Sequence, residues 1–167
     1  MIYLAADHRG FKIKEVIKSS LIEQGYDVKD SGAFQEEEGD DYVDFAKSAA
    51  EGVLTNPAVN RAILICGSGH GMNMVADKYK GVRAALGFNR YAAVQSRQHE
   101  DSNVLILAAD WLKDQDMKDI VYDWLNSAFS GEERHLRRLK KIEEIEEKNF
   151  KSSRSGPIAG VKFDIPT

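Results

Sequence analysis

The sequence lacks several features that whole classes of proteins depend on. Cys66 is the single cysteine among 167 residues, so no disulfide can form within the chain and a zinc site of several thiolates cannot be built. No apolar run approaches the roughly 18 residues that a membrane span needs, and the N-terminal segment becomes charged at Asp7, too early for a signal peptide. We therefore expect a cytoplasmic protein that does not associate with membranes.

An excess of positive charge is also lacking. The chain has 23 Lys and Arg against 27 Asp and Glu, which gives a formal net charge of −4. Because binding along a phosphate backbone favours a basic surface, this balance argues against nucleic acid as the main partner. The remaining composition, 43% apolar and 30% charged, indicates one globular domain with a sizeable core.

Short apolar runs alternate with amphipathic segments along the chain. The apolar pattern predicts strands at residues 2–6, 26–29, 62–65, 82–86 and 104–108. Helical spacing follows each of them, at residues 11–24, 42–54, 72–76, 89–98 and from 113 to near 131. This alternation predicts a mostly parallel, five-stranded sheet with helices on both faces, and a ligand site beyond the carboxyl ends of the strands.

A long terminal helix is predicted from Glu132 onward. Its apolar residues recur three apart as a narrow stripe, formed by Leu136, Leu139, Ile142 and Ile145. Such a stripe fits packing on a second subunit, and it fits equally a helix lying on its own sheet. We interpret residues 1–150 as the domain and residues 151–167 as a tail that is disordered or docks on a partner chain.

The stretch from residue 61 to 72 concentrates the chemistry. An apolar strand ends at Cys66 and passes into a glycine-rich loop with a helix start behind it, Gly67, Ser68, Gly69, His70 and Gly71. Backbone N–H groups at such a turn bind anions, and a helix start can lower the pKa of a thiol from about 8.5 toward neutrality. A buried structural cysteine is the other interpretation.

Spacing separates the possible chemistries of this loop. A phosphatase with arginine six residues after the cysteine is excluded, because that position is Met72. The phosphate loop that ends in Gly-Lys-Ser/Thr is absent, and the glycine spacing fits a dinucleotide fingerprint poorly. A small anionic or oxyanionic ligand with a base nearby remains. Polar residues also follow the first and fifth strands, at Asp7, His8 and Asp110, and should converge with this loop.

Several ordered motifs between residues 2 and about 145 resemble one family. These are Asp7-His8-x-Gly10-Phe11, Asp41-Tyr42, Cys66-Gly-Ser-Gly-x-Gly71-Met72, Lys78-x-x-Gly81-Val82-Arg83-Ala84-Ala85, Ser96-Arg97-x-His99 and Arg134-His135-x-x-Arg138. They resemble the sugar-phosphate isomerases of the ribose-5-phosphate isomerase B and galactose-6-phosphate isomerase superfamily. The resemblance implies a three-layer, Rossmann-like or flavodoxin-like α/β sandwich that works without metal or cofactor. It also implies a homodimer or homotetramer whose active sites are shared between subunits.

The same resemblance implies an aldose–ketose isomerase that most simply converts ribose 5-phosphate to ribulose 5-phosphate through a cis-enediolate. Cys66 would be the base, and Ser68 with Gly67, Gly69, His70 and Gly71 would hold the oxyanion. His99 would open the furanose ring with help from Asp7, and Tyr42 would line the sugar site. The phosphate would be bound by His8, Arg134, His135 and Arg138, the last three from a second subunit.

Several positions depart from the pattern of the family, namely Val43, His70, Asp77, Glu100 and Asp110, and two of them place negative charge where a sugar hydroxyl or phosphate is expected. Glu100 and Asp110 stand where asparagine and arginine are usual, which should weaken anion binding unless another cation compensates. A different substrate therefore stays open, such as a hexose 6-phosphate or a four-carbon or branched sugar phosphate. An inactive protein that only binds a sugar phosphate is the alternative from another class.

Overall fold

The computed structural model describes residues 1–151. Its strands are β1 (Ile2–Ala6), β2 (Val28–Asp30), β3 (Arg61–Cys66), β4 (Ala84–Leu86) and β5 (Val104–Ala108). Its helices are α1 (Phe11–Glu23), α2 (Tyr42–Leu54), α3 (His70–Ala76), α4 (Arg90–Glu100), α5 (Asp114–Leu125) and α6 (Glu133–Lys151). The predicted tail, apart from Lys151 at the end of α6, lies outside the described residues.

The five strands form one parallel sheet in the order β2-β1-β3-β5-β4, as the alternating pattern predicts. Neighbours at the centre are aligned so that Ala6 pairs with Ile65 and Cys66 pairs with Ala108. After β1 the chain forms β2 at one edge of the sheet, whereas after β3 it forms β4 and β5 on the opposite side of the sheet. The carboxyl ends of β1 and β3 therefore flank the point where such folds open a crevice for ligands.

Helices cover both faces of the sheet, which confirms the three-layer prediction. One face carries α1, α4 and α5, whose buried residues pack on strand residues such as Leu4 and Ile63. The other face carries α2 and α3 and packs on alternate strand residues such as Leu64 and Ile106. All four strand residues are fully buried, and burying a side chain of this size contributes about 1.5–3 kcal/mol.

The last helix, α6, covers neither face. It runs past the amino ends of the strands, where Glu146 accepts the backbone N–H of Gly81 at 3.2 Å. Three residues of its apolar stripe stay 43–59% exposed, namely Leu136, Ile142 and Ile145. The interpretation of a terminal helix lying on its own sheet is therefore wrong.

The remaining differences from the predicted elements occur at short or terminal segments. β2 and β4 have three residues each, because the chain on their amino-terminal side forms turns. α5 ends at Leu125 rather than near residue 131, and the side-chain amide of the next residue, Asn126, donates to the carbonyl of Tyr122 at 2.8 Å. Among residues 1–151, no helix is both long enough and apolar enough to span a bilayer.

Candidate functional site

Asp7 and Cys66 lie side by side at the carboxyl edge of the sheet. The register that pairs Ala6 with Ile65 brings the residues after β1 next to the end of β3, and the Asp7 N–H donates to the Ile65 carbonyl at 3.2 Å. Oδ1 of Asp7 accepts the N–H groups of Arg9 at 3.0 Å and Gly10 at 3.1 Å. Burial raises the pKa of the Asp7 carboxyl, although these two hydrogen bonds oppose the shift.

The Cys66 thiol is 4% exposed and faces the start of α3. Its Sγ accepts the backbone N–H of Gly69 at 3.2 Å, and the N–H of Met72 is the second donor. Burial nevertheless raises the pKa of the thiol, and the carboxylates of Asp7 and Asp110 act in the same direction. The expectation that the helix start lowers this pKa is wrong in sign, because loss of hydration outweighs the two backbone donors.

Glycine is needed in the loop because side chains close on it from two directions. A Cβ at Gly71 would lie 2.5 Å from Cζ of Tyr42, so the phenol sits directly on the glycine. A Cβ at Gly67 would lie 2.8 Å from Oδ2 of Asp110 and 2.9 Å from Cδ of Arg9. Gly69, the residue directly before α3, has φ +78°, a left-handed conformation that favours glycine.

His8 is held by a carboxylate from the loop before α2. Its Nδ1 lies 2.7 Å from Oδ1 of Asp40, and its backbone N–H donates to the same oxygen at 3.1 Å. The hydrogen bond to Asp40 raises the pKa of His8. The imidazole therefore keeps its positive charge to a higher pH than an ordinary histidine.

Arg9 and Asp110 form an ion pair across the loop. Nε of Arg9 donates to Oδ1 of Asp110 at 3.0 Å, and the terminal nitrogen NH2 lies 2.7 Å from the same oxygen. Asp110 is fixed in turn by its backbone N–H, which donates to the Gly67 carbonyl at 3.0 Å. The predicted convergence of Asp7, His8, the Cys66 loop and Asp110 is thus confirmed. We call these residues, with Arg9 and Tyr42, the carboxyl-edge cluster.

Two predicted loop residues take different surroundings. The Ser68 hydroxyl accepts the N–H of His70 at 3.4 Å, a long contact that leaves the hydroxyl available. The imidazole of His70 is exposed and meets the ring of Trp111 edge-on, with 5.3 Å between centroids. His70 therefore lies against the loop after β5, beside the anion loop.

The other predicted residues lie at the opposite edge. α4 begins after the carboxyl end of β4 and ends where the chain turns into β5, so His99 is at the amino edge. His135 is stacked on it with ring centroids 4.2 Å apart. With Arg134 and Arg138 on the same helix, these residues form what we call the amino-edge cluster. The length of β3 separates the two edges by about 16 Å at 3.3 Å per residue, so one chain does not join Cys66 to His99. Glu100 also lies at the amino edge.

His135 is the buried member of the amino-edge cluster. It is 1% exposed, its Nδ1 lies 2.7 Å from the Ser130 hydroxyl, and its Nε2 has no partner within residues 1–151. Burial lowers the pKa of His135, and the neighbouring His99 and Arg134 act in the same sense. The predicted role of His135 as a phosphate ligand stays a prediction, whereas its packing against His99 is plain. Arg134 is paired with Glu132 at 2.8 Å.

Sequence reasoning missed Arg9 and Asp40. Each looks like a solvated surface charge in a turn, and the partner of Arg9 lies 101 residues away. A signal was present for Arg9, since it stands beside Asp7 and His8 at the end of a predicted strand. Within residues 1–151, no group of three or more His, Cys, Asp or Glu side chains is placed to hold a metal ion.

Comparison with known proteins gives a consistent result. The family model described as Ribose/Galactose Isomerase matches residues 2–142. The probable ribose-5-phosphate isomerase B of Mycoplasma genitalium is 40% identical over 138 residues, covering 83% of this chain and 90% of that protein. Ribose-5-phosphate isomerase B of Escherichia coli is 37% identical over 139 residues, covering 83% and 91% respectively.

The fold has a close counterpart among solved structures. The crystal structure of ribose-5-phosphate isomerase B from Mycoplasma genitalium with bound ribulose-5-phosphate superimposes with a TM-score of 0.86 at 39% identity. The match covers 88% of this chain and 96% of that one. The family match over residues 2–142 includes both clusters.

Proposed function

Because the chain belongs to the Ribose/Galactose Isomerase family and is an aldose–ketose isomerase of the ribose-5-phosphate isomerase B type, we propose that its substrate pair is ribose 5-phosphate and ribulose 5-phosphate. The relatives named above carry this activity in their names, and the Mycoplasma genitalium structure holds ribulose-5-phosphate. Identity near 40% over most of both chains supports transfer of the substrate class.

Cys66 is the proposed base, and the observation that carries this role is the pair of backbone donors at its sulfur, from Gly69 and Met72. In the open-chain aldose, Sγ takes the proton from C2 and the carbonyl oxygen on C1 becomes an enediolate oxygen. Sγ then returns this proton to C1, while the hydroxyl on C2 passes its proton to the oxygen on C1, so that C2 becomes the ketone and C1 carries the new hydroxyl. A positioned base of this kind contributes roughly 10²–10⁴ in rate.

The glycine loop is proposed to stabilise the charge that this step creates. An enediolate oxygen gains negative charge as the C2 proton leaves, and the backbone N–H groups of residues 67–71 lie beside Cys66, where the loop passes into the start of α3. One such donor is worth on the order of 10²–10³ in rate. Tyr42 packs on Gly71 and would form the wall of the sugar pocket.

The complete site is proposed to form between two copies of the chain, in a homodimer or homotetramer. The carboxyl-edge cluster supplies the base, Asp7 and His8, while a second copy supplies His99 for ring opening and Arg134 and Arg138 for the phosphate. Two observations support this arrangement. The clusters lie at opposite edges of one chain, and the apolar stripe of α6 beside the amino-edge cluster stays exposed.

A deuterium-exchange experiment tests the proposed reaction. The wild-type protein should exchange the C2 proton of ribose 5-phosphate in deuterated water and produce ribulose 5-phosphate. Cys66→Ala should lose both reactions while keeping the thermal unfolding midpoint of the wild type within a few degrees. Near-wild-type turnover in Cys66→Ala would exclude the mechanism, and absence of exchange with every sugar phosphate offered would favour an inactive binding protein.

A second candidate is an isomerase of the same family with a different sugar phosphate. The observation that favours it is the carboxylate of Asp110, which stands against Gly67 at the mouth of the anion loop and changes the charge there. A panel of tetrose, pentose and hexose phosphates compared by kcat/KM separates the two candidates. A preference for a six-carbon or four-carbon substrate by about tenfold or more would replace the first proposal.

A further inference from the structure

We propose that Arg9 binds the anionic group of the substrate directly, as an additional substrate-binding residue of this site. The inference rests on the proposed isomerase function, because it assigns a further residue to the same site. Arg9 belongs to none of the residues that the sequence motifs single out, and its position emerges from three structural observations.

The first observation is where the guanidinium lies. The chain leaves β1 through Asp7, His8 and Arg9, and the Arg9 side chain then crosses the loop that follows β3. Cδ and Nε both lie 2.9 Å from the position a Cβ would take at Gly67, the residue directly after Cys66. The cation therefore stands at the mouth of the glycine loop, next to the thiol proposed as the base.

The second observation is that the Arg9 guanidinium is held in place but keeps N–H donors that are not hydrogen-bonded. Nε and NH2 both bind Oδ1 of Asp110, which holds the group in one orientation. An arginine has five N–H donors, and two of them bind Asp110 here. The other donors have no partner among residues 1–151, and the side chain is 55% exposed. A planar fork with free donors suits the oxygens of a phosphate or another tetrahedral anion.

The third observation is the local charge. Asp7 and Asp110 both face Cys66 and raise its pKa, so the carboxyl-edge cluster carries two acids beside the reacting thiol. His8 is already occupied at Nδ1 by Asp40. A cation beside these acids favours an anionic substrate, in addition to the Arg134 and Arg138 that a second copy would bring, and Arg9 of the same chain reaches the loop. This is the compensating charge that Asp110 requires.

Arg9 has one plainer role to be distinguished from substrate binding, namely neutralising Asp110. Removing Arg9 alone would leave the Asp110 carboxylate to repel the substrate, so a single variant does not separate the two roles. Removing both charges does. If Arg9 only neutralises Asp110, the double variant Arg9→Met with Asp110→Asn regains wild-type binding, whereas a direct ligand stays lost.

The matched control is a second arginine–aspartate pair away from the loop. Nε of Arg90 binds Asp123 at 2.5 Å and NH2 binds it at 3.1 Å, joining α4 to α5 on the outer face of the sheet. The variant Arg90→Met with Asp123→Asn removes the same chemical groups. Both double variants are first compared with the wild type by circular dichroism and thermal unfolding, so that a folding defect is recognised.

The experiment measures KM and kcat for the best sugar phosphate of the panel. We expect Arg9→Met and its double variant with Asp110→Asn both to raise KM by about tenfold or more, since a hydrogen bond to a charged ligand is lost. The kcat should change far less, and the Arg90 control should match the wild type. A KM within about twofold of wild type for either Arg9 variant overturns the inference, whereas a larger rise in both supports it.

A binding measurement keeps this test separate from the proposed function. If the wild type turns over no sugar phosphate, the proposed function fails, and calorimetric titration of inorganic phosphate then decides the role of Arg9. Weaker phosphate binding by the double variant supports a direct contact. Equal binding, or no binding by the wild type, overturns it.

Discussion

Nδ1 of His8 lies 2.7 Å from Oδ1 of Asp40, and the backbone N–H of His8 donates to the same carboxylate oxygen at 3.1 Å. These two contacts fix the imidazole and direct its Nε2 away from Asp40. The contact at Nδ1 also raises the pKa of His8, because the carboxylate stabilises the protonated ring. Asp40 therefore decides over which pH range His8 is a cation.

Substrate binding weakens as the pH rises and His8 loses its charge, and Asp40→Asn should move this weakening to a lower pH than in the wild type. A raised pKa keeps His8 charged, so its contribution is complete below the unperturbed value near 6.5 and is lost as the pH rises through the raised value. Without the Asp40 carboxylate, His8 should lose its charge at a lower pH. The KM at pH 8 should then rise several-fold, because a charge-assisted hydrogen bond to the substrate is lost. The pH profile of kcat/KM and NMR titration of the His8 ring measure the shift.

Asp41→Asn is the control for this change. The Asp41 carboxylate caps α2 by accepting the N–H of Val43 at 3.0 Å, and asparagine caps a helix about equally well. The neighbouring charge is thus removed without touching His8. An unchanged profile in Asp40→Asn, or an equal shift in Asp41→Asn, would contradict the assigned role of Asp40.

Gly71→Ala should push the Tyr42 phenol out of its place. The new Cβ would lie 2.5 Å from Cζ of Tyr42, a distance that requires one of them to move. We expect a loss of stability of about 1–3 kcal/mol from overpacking and a lower kcat/KM. In a Tyr42→Ala background the methyl group has room, so the same substitution should cost little there. Equal costs in both backgrounds, measured by denaturant unfolding, would show that the contact does not matter.

Cys66 should react slowly with iodoacetamide at pH 7. Its thiol is 4% exposed, and burial raises its pKa, so the reactive thiolate is rarer than at an ordinary cysteine with a pKa near 8.5. The labelling rate should rise with pH to a midpoint above that of the same chain unfolded in urea. The chain carries one cysteine, so mass spectrometry reads a single site. Labelling of the folded protein as fast as the unfolded chain at pH 7 would contradict the raised pKa.

Two inactive variants should restore activity when they are mixed. If each site takes Cys66 from one copy and His99 from another, a dimer of Cys66→Ala with His99→Asn contains one intact site and one doubly altered site. Random exchange after mild unfolding and refolding of equal amounts should recover about a quarter of wild-type activity. Each variant refolded alone is the control. No recovery in the mixture, with mixed dimers detected by native mass spectrometry, would place both residues in one chain's site.

The sequence predicts the centre of the fold better than its margins. β1, α2 and β5 have the predicted bounds because continuous apolar runs or clear helical spacing define them. β2 and β4 occupy the edges of the sheet, where one neighbour alone decides which residues are paired, and their bounds differ from the pattern. Hydrogen bonding to the neighbouring strand, rather than the intrinsic β-propensity of the residues, determines where such short strands begin and end.

The candidate site is predictable where chemistry and spacing coincide, as at Asp7, Cys66 and its glycines. The sequence pattern around Cys66 does not show how deeply the thiol is buried. The predicted lowering of its pKa is therefore wrong, because burial raises it. The split of the predicted residues between two edges follows from the alternation of strands and helices, because α4 must return the chain to the start of β5. Long-range partners such as Asp40 for His8 and Asp110 for Arg9 depend on loop conformations, which no periodicity encodes.

The Arg9 side chain passes directly over Gly67 on its way to Asp110, and a Cβ at that glycine would meet both of them within 3 Å. No larger residue fits at position 67 while the ion pair stays closed. Positions 9, 67 and 110 are distant in sequence, and we therefore expect them to vary together among related proteins. A substitution at any one of these positions changes which residue types fit at the other two.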